Sequence, residues 1–136
     1  MSYRVQRVGL QRIHEIRDVS RNNRRIAKAV NKLRVLNVKV VKELEFFNDF
    51  PSDIEYQYDT LLLVKQYCMG PIRRLRSLLG TVHRLIIPPA PEFVLEKIRS
   101  IIVSLDREIT DMIHGYRRFI VDVDTAISTF ENPVAP

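Results

Sequence analysis

The chain has 136 residues, 46% of them hydrophobic, which is the length of one domain with enough apolar material for a packed core. Its net charge of +6 is unevenly placed: residues 1–48 carry twelve Lys and Arg against four Asp and Glu, residues 49–90 five against four, and residues 91–136 five against eight. The single cysteine, Cys68, excludes an internal disulfide, no apolar run reaches the ~18 residues of a membrane span, and the polar, basic stretch from Met1 to Arg12 does not read as a signal peptide.

The whole chain reads as helix. No stretch alternates with period two for long, and glycine occurs only at positions 9, 70, 80 and 115. The first helix is expected over about residues 3–19, with Val5, Val8, Ile13, Ile16 and Val19 inward. The run Ser20-Arg21-Asn22-Asn23-Arg24-Arg25 follows and has two readings. Ser and Asn favour turns and caps, which would make a helix-turn-helix arm. Cations continue through the run at helical spacing, which favours an unbroken solvated helix.

The next helix extends to about Phe47 on the apolar series Ile26, Val30, Leu33, Val40, Leu44 and Phe47, and Asn48-Asp49-Phe50-Pro51 ends it. Ser52-Asp53-Ile54-Glu55 has the form of a capping box and opens a third helix. That helix carries Ile54, Tyr58, Leu61, Leu62 and Cys68 and is expected to stop at Gly70. Pro71 suits the first turn of a fourth helix, with Ile72, Leu75, Leu79, Val82 and Ile86 inward, and Pro88-Pro89-Ala90-Pro91 is a stiff break. From about 91 to 130, apolar residues recur every three or four positions, from Val94 and Ile98 through Tyr116 and Phe119 to Ile127 and Phe130. One helix of this length spans roughly 60 Å, and Gly115 is the place where it would divide or kink.

The densest chemical signal is cationic. Arg17, Arg21, Arg24, Lys28 and Lys32 are spaced by four, three, four and four residues and share one face of a helix, opposite the apolar stripe. Arg4, Arg7, Arg12, Arg25, Arg34, Lys39 and Lys42 add further cations. No acid stands between Asp18 and Glu43, so the (i, i+4) ion pairs that normally relieve such a face are missing. A solvated charged face is the competing reading. Arginine outnumbers lysine sixteen to six, which suits the planar fork that grips phosphate, although codon bias explains the ratio as well. Arg73, Arg74, Arg76 and Arg84 form a second basic cluster that either extends the same surface or solvates its own helix.

Base-specific readout is not expected. Phosphate contacts position a protein without reading sequence, and Asn22, Asn23, Asn31 and Asn37 serve as caps or solvent-facing groups as readily as base readers. His14, His83 and His114 each stand alone, without a metal-ligand neighbour at the usual spacing, so no metal and no cofactor is expected. Asp106 with Glu108, and Asp122 with Asp124, read as a solvated acidic face rather than paired catalytic carboxylates. No phosphate-binding glycine loop or nucleophile elbow is present, and an enzyme is not expected.

The basic arm from Arg4 to Lys42, the break at Phe50-Pro51-Ser52 and the helical remainder to Phe130 resemble, at the level of architecture, the major coat proteins of filamentous archaeal viruses. That resemblance implies a basic N-terminal helical arm wrapping double-stranded DNA, a helical bundle facing outward, and a nucleoprotein filament in a virion, usually built from two related coat subunits. It implies contact with backbone and shape, since the deep, narrow major groove of an A-form duplex is closed to side chains. The fold expected is therefore all-α, a basic arm over 1–50 followed by a bundle over 51–136 with a long C-terminal helix. The phosphate contacts are assigned to Arg4, Arg7, Arg12, Arg17, Arg21, Arg24, Arg25, Lys28, Lys32, Lys39, Arg73 and Arg76. The partners expected are nucleic acid and further copies of the chain. Two other classes stay open: a helical bundle of the cell-death type that binds anionic membrane, and an adaptor whose arm takes an acidic partner helix.

Overall fold

The computed structural model describes residues 13, 23–50 and 58–132, and these are all-α. Three helices are defined: α1 (Arg24–Asp49), α2 (Tyr58–His83) and α3 (Glu92–Glu131). The first expected helix and the capping box at Ser52 lie outside the described residues, apart from Ile13, which is helical and buried in the common core.

Helix α1 starts at a definite place. Asn23 is extended (φ −118°, ψ 108°), and its Oδ1 accepts from the backbone N–H of Arg25 at 3.1 Å and of Ile26 at 3.3 Å. Two donors that the first turn leaves unpaired are thereby satisfied. The helix cannot run back through Asn23, so the cationic series does not continue on one helix from Arg17 to Lys32. Ile26, Ala29, Val30, Leu33, Leu36, Val40 and Leu44 are buried on the inner face, together with Asn37.

Helix α2 corrects the sequence reading most. Gly70 does not end a helix and Pro71 does not start one, since both lie inside the 26 residues of α2. A proline in a helix interior lacks the N–H owed to the carbonyl four residues earlier and crowds that carbonyl, at a cost of about 3 kcal/mol. Two local features offset it. Gly70 has no Cβ to meet the proline ring. The ring itself is buried beside Ile72 and Leu75. Leu61 and Cys68 face inward as expected, whereas Leu62 and Ile86 do not, at 41% and 84% exposure. Ile86 falls outside any helix, in the 85–91 connection where Leu85 and Ala90 are the residues packed on the core.

Helix α3 is unbroken over 40 residues and keeps its apolar series inside from Val94 to Ile127, while Phe130 is 55% exposed. Side chains such as Ile98, Leu105 and Ile109, each at most 1% exposed, contribute on the order of 1.5–3 kcal/mol apiece by burial. Gly115 does not divide the helix. It admits the ring of Phe47 from α1: a Cβ at Gly115 would stand 2.5 Å from Phe47 Cζ.

The pairings fix how the helices are set along α3. Lys65 meets Asp124 and His83 meets Asp106, both at 2.6 Å. The two contacts are eighteen positions apart on each helix, about five turns, so α2 runs antiparallel to α3 without slipping register. Phe47 lies against Tyr116 and Phe50 against Phe119, so α1 runs parallel to α3. At 1.5 Å per residue, α3 extends about 20 Å past the end of α2 in one direction and about 20 Å past the end of α1 in the other. Only residues near 106–118 of α3 lie level with both partners. Among the described residues no helix is long and apolar enough to cross a membrane.

Candidate nucleic-acid interface

The outer face of α1 is set by the same periodicity as its core. With Ile26, Leu33, Val40 and Leu44 inward, Arg24, Lys28, Lys32, Lys39 and Lys42 fall on the opposite side, and all five are exposed. They span about 27 Å of helix. Arg25 and Arg34 are also exposed, one on each flank. None of these seven has an ion-pair partner among the described residues. Like charges one turn apart repel by a few tenths of a kcal/mol per pair, so the face is one on which an added anion lowers the energy. Val35, Val38 and Phe46 stand exposed among the cations.

Of the other residues assigned to phosphate, Arg4, Arg7, Arg12, Arg17 and Arg21 lie outside the described residues. Arg73 and Arg76 are exposed on α2, but the helix does not turn them toward α1. Arg76 is eleven positions from Lys65 and seven from His83, which places it on the flank that meets α3. The arginine that turns to α1 is Arg74, whose Nε donates to Glu43 Oε1 at 2.7 Å. Of the second basic cluster, Arg74 therefore turns to α1, while Arg73 and Arg76 share an outward face of α2. Two of the asparagines are engaged by the fold, Asn23 as cap and Asn37 in the core, while Asn31 is exposed.

Where α1, α2 and α3 come level, a polar group is built into the apolar seam. Glu43 has only 14% of its side chain exposed, and its second oxygen, Oε2, is buried without a partner among the described residues, as is the hydroxyl of Tyr116. Burial pushes the Tyr116 phenol well up, and the negative charge of Glu43 pushes it further. Burial likewise raises the Cys68 thiol to about 11, which keeps it neutral and unreactive. Three rings close around Tyr116: those of Phe47 and Phe50 at 4.9 and 5.4 Å, edge-on, with Phe119 edge-on to Phe50 at 5.6 Å. Arg74 also lies over the Phe46 ring, 5.4 Å from its centroid.

Sequence reasoning missed the three inter-helix ion pairs. His83 is not isolated, and Asp106 and Asp124 are not simply solvated, because His83 and Lys65 of α2 meet them. These partners lie 23 and 59 positions apart, and no local spacing marks such pairs before the register of the helices is known. Among the described residues no group of three His, Cys, Asp or Glu side chains is placed to hold a metal ion. Compared with known protein families, curated proteins and solved structures, the chain matches none of them.

Proposed function

We propose that this chain is a structural nucleic-acid-binding protein that holds phosphate backbone on the outer face of α1, without reading base sequence, and assembles with further copies of itself. The observation that carries this reading is the exposed row Arg24, Lys28, Lys32, Lys39 and Lys42, none of which has an ion-pair partner among the described residues. The charge imbalance supports assembly. Residues 91–136 hold eight acids against five cations, an electrostatic counterpart for the basic segment of a neighbouring copy. The resemblance to filamentous archaeal virus coat proteins adds the expectation of a duplex ligand, a filament, a second related subunit and a place in the virion.

The test is binding across a salt series. Five phosphate contacts predict an affinity for duplex DNA that falls with salt at a log–log slope of about −4.5. Reversing Arg24, Lys28 and Lys32 to Glu is expected to reduce that slope by about 3 and to lower affinity at least a hundredfold, with helicity by circular dichroism unchanged. Retained binding in the reversed protein would return the row to the status of a solvated face. Electron microscopy of the purified protein, with and without nuclease, tests assembly: filaments support it and a uniform monomer refutes it.

The exposed Val35, Val38 and Phe46 on the same helix favour one other anion, a membrane surface of acidic lipid. Anionic vesicles that displace DNA and retain the protein at high salt would favour lipid over nucleic acid.

A further inference from the structure

The basic face of α1 leads to a cleft. Lys39, Lys42 and Phe46 follow one another along one side of the helix, at spacings of three and four. Phe46 forms a wall of a cavity of ≈ 510 Å³ between the last turns of α1 and the middle of α2, where Asp49, Phe50, Tyr67, Pro71 and Arg74 also line it. That volume falls within the ~300–1,000 Å³ typical of small-molecule sites. Phe46 and Tyr67 offer ring surface to solvent, at 46% and 61% exposure.

The polar groups of the cleft are specific in kind. Pro71 has no N–H, so the carbonyl of Tyr67, four residues earlier, lacks its usual helical donor, and Tyr67 and Pro71 both line the cleft. Asp49 adds a carboxylate. Arg74 binds Glu43 through Nε, which leaves its terminal amines for the cleft, and one of them stands 3.5 Å from where a Cβ on Gly70 would be. The cleft thus combines two exposed rings and a guanidinium plane with two strong acceptors. Its charges, Arg74 against Asp49 and Glu43, do not favour an anion. The cations lie outside it, at Lys39 and Lys42.

We propose that the cleft takes one unpaired nucleobase, stacked on Tyr67 and Phe46, from a strand whose phosphates lie on Lys39 and Lys42. A base is flat, aromatic and uncharged, and its exocyclic amines and ring N–H groups are donors for Asp49 and the Tyr67 carbonyl. The phosphates that flank it need the cations just outside. Aromatic stacking with a basic track is the general means by which proteins hold single strands without sequence preference. The proposal rests on the nucleic-acid reading of α1 and narrows it to a ligand with accessible bases.

The experiment compares a short single-stranded oligonucleotide with its abasic counterpart of equal length and charge, by fluorescence anisotropy at fixed salt. The base-bearing strand is expected to bind about five- to a hundredfold more tightly. Tyr67→Ala, at an exposed site, is expected to abolish that margin while leaving the affinity for the abasic strand unchanged, and Phe46→Ala to reduce it. Equal affinity for the two strands, or a margin that survives both substitutions, overturns the cleft proposal and leaves phosphate binding by α1 intact. Failure of both strands to bind while duplex DNA still binds overturns the cleft alone, and failure of duplex DNA as well overturns the nucleic-acid reading with it. If Tyr67→Ala instead changes the sedimentation of the protein and not the margin, the cleft belongs to a second copy and the proposal is wrong.

Discussion

The charges on the outer face of α1 and those along the seam of α2 and α3 obey opposite rules. In the seam, Lys65 and His83 each face an acid on the neighbouring helix at 2.6 Å. On α1, none of seven exposed cations has an ion-pair partner among the described residues. The seam uses charge to keep two helices in register, so its electrostatics are closed within the fold. The α1 face is open, and its electrostatics are completed only from outside. The difference separates charge that holds a structure together from charge that the structure carries at a cost.

The comparison can be broken at several points. The largest stability effect is expected where α1 meets α3 by shape rather than charge. Gly115→Ala forces a methyl against the Phe47 ring, and overpacking should exceed the helix-propensity gain by about 1–2 kcal/mol, read as a lowered urea midpoint. In a Phe47→Leu background the same substitution should become stabilising, which isolates the ring as the cause. Next, Lys65→Ala should cost about 0.2–1 kcal/mol, the range of an exposed ion pair, with the loss shrinking at high salt. Lys28→Ala should cost nothing, and at low salt should stabilise by a few tenths of a kcal/mol because it relieves repulsion. If the two lysines respond alike, the distinction between closed and open charge is lost. A small effect is also expected for Tyr116→Phe. Its hydroxyl is buried without a partner among the described residues, so its removal should change stability by less than about 1 kcal/mol, toward greater stability. A loss larger than that would show that the hydroxyl is bonded in solution.

The long apolar series of α3 was legible because period and length agree: a 3.6-residue repeat from Val94 to Ile127 reads as helix throughout, with Gly115 the one place left open to a break. The core face and the cationic face of α1 were legible for the same reason. Punctuation misled at Gly70-Pro71, since a helix stop and a tolerated interior proline have the same local sequence, and burial of the ring decides between them. It misled again at Gly115, where the residue answers to a ring more than sixty positions away. The site divides similarly. Arg24, Lys28, Lys32 and Lys39 follow from helical period alone. The flanks on which Arg73, Arg74 and Arg76 fall depend on where neighbouring helices lie, and local sequence does not carry that.

The stagger of α1 and α2 along α3 has a consequence for biosynthesis. Chains emerge N-terminus first, and α1 and α2 touch one another less than either touches α3. The segment of α3 level with both, near 106–118, is made after either of them. Until it appears, each of the two earlier helices has an apolar face with little to cover it, and an isolated helix of about this length is marginal in water. The packing of α1 and α2 described here is therefore completed only once α3 has been made.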